Sequence, residues 1–236
     1  MFNGKKKAVT FSYDDGVTQD IRFIEILNKY GLKATFNLNS ELLGIERTLM
    51  VDKTVEVRHD KVKPADVKHI YEGHEVAVHT LTHPRLPDVA DDAEVIRQVE
   101  QDRLNLSDLV GYEVLGMAYP GGGVNCDDRV AALIKNNTPI KYARTIAITE
   151  SFDPYPDLYQ YKGTIYHHKY WDRMVELGRE FIELETDTPK VFYIWGHSYE
   201  FDAFPERWEQ LEEFCKMISN RPDIFYGTNM EVLCGE

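Results

Sequence analysis

Six short runs of apolar or β-branched residues recur along the chain: KAVTFSY (7–13), KATFNLN (33–39), EVAVH (75–79), VLGMAY (114–119), YARTIAI (142–148) and VFYIWG (191–196). Each has the length and make-up of a buried strand. Between them lie stretches of helical period: QDIRFIEILNKY (19–30) ended by Gly31, AEVIRQVEQDRLNLSDLV (93–110) ended by Gly111, DDRVAALIKNN (127–137), YWDRMVELGREFIEL (170–184) and ERWEQLEEFCKMIS (206–219). Strand and helix alternate throughout, which predicts parallel strands joined by crossover helices, in an α/β barrel or a doubly wound sheet. Strand count and length favour the barrel. The chain has 236 residues, 43% of them hydrophobic, and shows no linker, internal repeat or low-complexity segment, so one domain spanning 1–236 is expected.

Forty acidic residues against 27 basic give a formal charge of -13, which argues against nucleic acid or an anionic membrane surface as partner. Cys126, Cys215 and Cys234 are odd in number, widely spaced and without a CxxC pair, so free thiols are expected. The apolar run after the N-terminal lysines is too short for a signal-peptide core, and the chain as given reads as cytoplasmic; a trimmed exported protein would look the same.

In parallel α/β folds, chemistry collects at the carboxyl ends of the strands. The first run ends in Asp14-Asp15-Gly16. Neighbours on a strand face opposite sides, so the two carboxylates share an environment only if the strand has already turned, which Gly16 permits. Asp-Gly alone is an ordinary turn signal. The third run, however, ends in HTLTH, with His79 at the strand end and His83 four residues on, and Asp-His-His plus water is a sensible open zinc site. His197 ends the last run, where it could donate a proton to a leaving group. Packing alone does not account for acid and imidazole groups at three strand ends. His59 and His69, in polar surroundings, and His74, in the turn YEGHE, are assigned no chemistry. The pair His167-His168 follows a short strand-like TIY and reads as structural ahead of reaching the site.

In order, SYDDG, GHEVAVHTLTH, AYPGG and YIWGHS resemble the NodB-homology polysaccharide deacetylases, carbohydrate esterase family four, over nearly the whole chain. The resemblance implies a deformed (β/α) barrel of about seven parallel strands. It also implies one divalent metal, most often Zn2+ with Co2+, Ni2+ or Mn2+ as alternatives, and hydrolysis of N- or O-acetyl groups on a carbohydrate. Carried over, it makes Asp14 the general base, Asp15, His79 and His83 the metal ligands, and His197 the catalytic acid.

The family's third motif usually reads Arg-Pro-Pro-Tyr-Gly, whereas this chain has Ala118-Tyr119-Pro120-Gly121-Gly122. The arginine that supports the base is absent, while an oxyanion donor can still come from the backbone of Gly121. The Asp-Trp fourth motif is also not evident. Arg144, inside YARTIAI, is expected either to replace the missing arginine by gripping Asp14 with its planar fork or to sit at a strand edge in solvent. The departures leave two alternatives open: a metal-dependent amidohydrolase acting on a small cyclic amide or imide, and a catalytically silent carbohydrate-binding domain. Phe152, Tyr155, Tyr159, Tyr161, Tyr199, Phe201 and Phe204 could stack on sugar rings or simply pack.

Overall fold

The computed structural model describes residues 2–235; Met1 and Glu236, the ends of the span expected as one unit, lie outside the described residues. All six apolar runs form strands. The chain opens with β1 (Lys7–Asp14), α1 (Asp20–Lys29) and β2 (Ala34–Leu38), and then makes an antiparallel hairpin of β3 (Thr48–Val51) and β4 (Val55–Arg58). A single turn, α2 (Val67–Ile70), precedes β5 (Glu75–Val78), α3 (Asp92–Val110), β6 (Gly116–Ala118), α4 (Asp128–Asn137) and β7 (Tyr142–Ile148). Two short strands follow, β8 (Tyr161–Gly163) and β9 (Ile165–Tyr166), and then α5 (Trp171–Glu183) and β10 (Lys190–Gly196). The chain finishes with α6 (Glu200–Ala203), α7 (Glu206–Ile218), β11 (Ile224–Tyr226) and α8 (Asn229–Leu233).

The five expected helices appear within two residues of their sequence bounds, because their stop signals are chemical. Gly111, for example, takes φ 83° after α3, a left-handed cap that glycine adopts without strain, and the Asp91 carboxylate accepts from the amide of Ala93 at the other end.

The main sheet has nine strands in the order β8-β7-β6-β5-β2-β1-β10-β9, with β11 beside the first residues of β1, and its pairings are all parallel. The count exceeds the expected seven because β8, β9 and β11 are only two or three residues long, too short for a periodicity to register. The barrel closes in an unusual way. Its two terminal strands, β8 and β9, are separated by the single residue Thr164, whose amide donates to the carbonyl of Tyr193 at 2.9 Å. The chain thus crosses from the β7 edge to the β10 edge in one step. Every residue of β1 is buried, which explains its unbroken apolar reading, since a central parallel strand is covered on both faces.

The β3–β4 hairpin was not legible as strands. Val51 and Val57 pack against Ala203, with Tyr199 and Phe204 alongside, so the hairpin leans on the segment after β10. No helix among the described residues is long and apolar enough to cross a membrane.

Candidate metal and acid-base site

The carboxyl ends of β1, β5, β6, β7 and β10 surround a cavity of about 530 Å³, whose lining includes Asp14, Asp15, His79, His83, Gly121 and His197. The strand turns at Asp15 itself, which takes φ 85°, followed by Gly16 at φ 60°. A Cβ on Gly16 would lie 2.4 Å from the Leu38 side chain, so glycine is required there twice over. This turn sends the two adjacent carboxylates to different partners. Thr80 and His83 also hold positive φ, 67° and 64°, so strained backbone gathers around this one site.

Asp15, His79 and His83 each bring one ligand atom to within 4.8 Å of the others. His79 is buried and donates Nδ1–H to the carbonyl of Ala118 at 2.8 Å, which leaves the Nε2 lone pair for a metal. Burial holds His79 down to about 4 and lowers His83 as well, which favours the neutral form that a metal would need. Burial opposes ionisation of Asp15, yet Lys61 and His59 outweigh it and hold its carboxyl well below the usual range. A His pair of which His79 is oriented by its backbone partner, together with one carboxylate, fits a divalent ion that keeps coordination positions open.

Lys61 and His59 are residues that the sequence reading missed. Lys61 Nζ lies 3.0 Å from Asp15 Oδ1 and also donates to the Asp15 carbonyl. His59 is a correction to the expectation of polar, uninvolved surroundings: it is 1% exposed, with Nε2 3.2 Å from Asp15 Oδ2. Its Nδ1 accepts from Arg47 at 3.0 Å, so Nε2 carries the proton toward Asp15. Both residues follow the β3–β4 hairpin, and the bridge between Val17 and Lys61 pins that segment to the turn after Asp15.

Asp14 turns the other way. Arg144, fully buried on β7, reaches both of its oxygens through Nη2, at 2.6 Å to Oδ2. The solvent-exposed alternative for Arg144 is thereby excluded, but the grip is not the expected parallel fork: one amino group bridges both oxygens while Nη1 donates to the Thr145 carbonyl at 3.3 Å. The guanidinium also lies 4.6 Å from the Trp195 ring centroid, a cation–π contact. Asn37, opposite Asp14 in the β1–β2 register, donates to Oδ1 at 2.8 Å, a second support the sequence did not reveal. Burial would raise Asp14, but Arg144 outweighs it, and the group stays an ionised carboxylate.

His197 follows β10 with Nε2 3.9 Å from Asp14 Oδ2. Its Nδ1 is 3.1 Å from Glu200 Oε1, ion-pair distance though off the hydrogen-bond axis, and its amide donates to Glu200 Oε2 at 3.0 Å. Burial would lower the imidazole, yet Glu200, with Asp14 and Asp15, raises it to about 9, and Glu200 falls to about 2. Glu200 was missed; the only trace in the sequence was a carboxylate three residues beyond a histidine, in HSYE.

Gly121 lines the cavity with φ 85°, a conformation that leaves the loop backbone close to the site. His74 ties its turn by accepting from the Ala34 amide at 3.1 Å and meeting Asn28 at 3.1 Å. His168 pairs with Asp52 at 2.9 Å and does not line the cavity. Of the loop aromatics, Tyr199 lines the cavity, whereas Phe152 packs on Phe181 and Phe192. The aromatic wall is built mainly from Tyr119, Tyr166, Tyr170 and Trp195, with Trp195 and Tyr166 stacked at 4.2 Å.

Residues 3–140, more than half of the chain, match the family model described as Polysaccharide deacetylase. The chain belongs to the polysaccharide deacetylase family. Solved structures of similar fold include a mutant, with restored enzymatic activity, of a pseudoenzyme of carbohydrate esterase family four from Bacillus anthracis. That protein is 17% identical, with a TM-score of 0.61 over 97% of this chain and 68% of its own. The Bc1960 peptidoglycan N-acetylglucosamine deacetylase is 18% identical, with a TM-score of 0.59 over 97% of this chain and 88% of its own. A family 4 carbohydrate esterase from Streptomyces lividans in complex with acetate is 12% identical, with a TM-score of 0.54 over 91% and 88%. Identities this low show a shared fold, and a pseudoenzyme among the family's structures means that activity has to be argued from side chains. No curated protein matches the chain.

Proposed function

We propose that this polysaccharide deacetylase family member is a metal-dependent hydrolase that removes an acetyl group from a carbohydrate. One observation carries the reading: an ionised carboxylate, Asp14, and an imidazole raised to about 9, His197, face the same cavity beside three neutral or anionic metal-ligand atoms. Opposite protonation states on neighbouring groups are what general base and general acid require.

Asp15, His79 and His83 would hold the cation, which supplies Lewis acidity toward water and the acyl carbonyl. Asp14 accepts the proton of the attacking water, and Arg144 and Asn37 fix the orientation of its lone pairs. Two groups complete the reaction. A backbone N–H in the Gly121 loop would stabilise the developing oxyanion, and His197 protonates the departing nitrogen or oxygen. A silent binding domain would have no use for a buried arginine on the base and a buried glutamate on the acid.

The test is acetate release by the zinc- or cobalt-loaded protein from acetylated chitooligosaccharides, peptidoglycan fragments and acetylxylan, with ring opening of cyclic imides followed alongside. Release from one or more saccharides supports the reading. Turnover of imides alone would transfer the same machinery to a small-amide substrate, and inertness toward all of them would overturn it.

A further inference from the structure

Gly196 ends β10 where no side chain fits: an added Cβ would lie 2.0 Å from Nδ1 and 2.3 Å from Cε1 of His167. The imidazole fills that space because β9 runs parallel to β10 and the amide of His167 donates to the carbonyl of Trp195 at 3.0 Å. His167 is 2% exposed and packs in a cluster of three near-parallel rings, with centroids 4.6 Å from Phe201 and 5.4 Å from Tyr13. The hydroxyl of Tyr13 is 3.0 Å from His167 Nδ1. With the phenol as donor to that nitrogen, the imidazole's own proton sits on Nε2.

The carboxylate beside Nε2 is already in use. His167 Nε2 is 3.4 Å from Glu200 Oε2, ion-pair distance outside hydrogen-bond geometry, and it has no hydrogen-bond partner among the described residues. Glu200 Oε1 receives the hydroxyl of Tyr166 and faces His197 Nδ1 at 3.1 Å, while Oε2 receives the His197 amide. An apolar ring would fill the space beside Tyr13 and Phe201 without burying a polar nitrogen.

We propose that His167 is a positioning residue for the acid: its Nε2–H holds the Oε2 side of Glu200, so that Oε1 stays turned toward His197. The inference rests on the reading of His197 as proton donor. Burial keeps His167 neutral, at about 3, so it works as a fixed dipole and not as a second titrating charge. The other groups that act on His197 are Asp14 at 3.9 Å, the Asp15 carboxylate, His83, and the rings of Tyr199, Tyr166 and Trp195 at 5.0, 6.2 and 6.3 Å.

The experiment is a histidine-nitrogen NMR titration of the zinc-loaded protein as wild type, His167→Leu and His167→Gln, paired with the pH profile of acetate release. In the wild type, His167 should carry its proton on Nε2 throughout. In His167→Leu, the His197 midpoint should fall by about one pH unit toward its ordinary value, and the alkaline limb of turnover should move with it. Glutamine places an amide N–H at similar reach, so His167→Gln should restore most of the shift. A proton on Nδ1 in the wild type overturns the proposal even if neither variant folds. So does an unmoved His197 midpoint in the leucine variant, or a glutamine variant that behaves like leucine. Because the titration needs no substrate, absence of acetate release would count against the functional reading and not against this one.

Discussion

Nη2 of Arg144 lies 2.6 Å from Oδ2 of Asp14, joining a guanidinium on β7 to a carboxylate on β1 across 130 residues of chain. Both groups are fully or nearly fully buried, so each is the other's main compensation for lost hydration. Arg144→Lys keeps the charge but has one compact ammonium in place of a planar head that stacks on Trp195 and bridges two oxygens. Metal content should stay stoichiometric while kcat falls about 10²-fold, the scale of a misoriented catalytic group. Elemental analysis beside steady-state kinetics checks both halves, and a lysine variant with wild-type kcat would refute the orienting role.

Asp14 and Asp15 are neighbours in sequence with separate partners in space, and their amide variants should separate accordingly. Asp14→Asn should retain metal and lose about 10²- to 10⁴-fold in kcat, the usual contribution of a general base. Asp15→Asn should weaken metal affinity itself, read by competition with a chromophoric chelator. Equal metal loss in the two variants would make Asp14 a ligand and leave the base unidentified.

The His197 imidazole should give turnover an alkaline limb. The acid must be protonated, and its folded value is raised to about 9, so activity present at neutral pH should decline as pH rises through that value. The same pairing affects stability. A histidine raised in the folded state stabilises fully below its ordinary value near 6.5, and that contribution is lost as pH climbs from there through 9. Glu200, depressed to about 2, contributes above its ordinary value of 4.5 and loses the contribution as pH falls toward 2. In His197→Ala, the alkaline limb should vanish, and amide substrates should suffer more than activated esters, whose leaving groups need less protonation. An equal fractional loss on both substrate types would argue against acid catalysis by this residue.

Gly196→Ala tests the packing beneath the acid. The new methyl would meet His167 at 2.0 Å, and a buried ring stacked on Phe201 and bonded to Tyr13 has little room to withdraw. Overpacking of this kind should cost about 1–3 kcal/mol in urea unfolding. A variant as stable as the wild type would show that the ring is free to move.

Much of this protein follows from local patterns in the sequence. Runs of apolar residues place the six principal strands, helical periodicity and glycine stops place the five long helices, and the residues that end β1, β5 and β10 supply Asp14, Asp15, His79 and His197. Such features are legible because burial and termination act on neighbouring residues, and their traces lie within a few positions of one another. Tertiary structure alone decided what surrounds those groups. Asn37 and Arg144 reach Asp14 through strand register, Lys61 and His59 reach Asp15 because a hairpin leans on the segment after β10, and His167 reaches Glu200 because β9 pairs with β10. Whether a buried arginine meets a carboxylate or meets solvent depends on which strands become neighbours when the sheet closes, and no local pattern of residues carries that information.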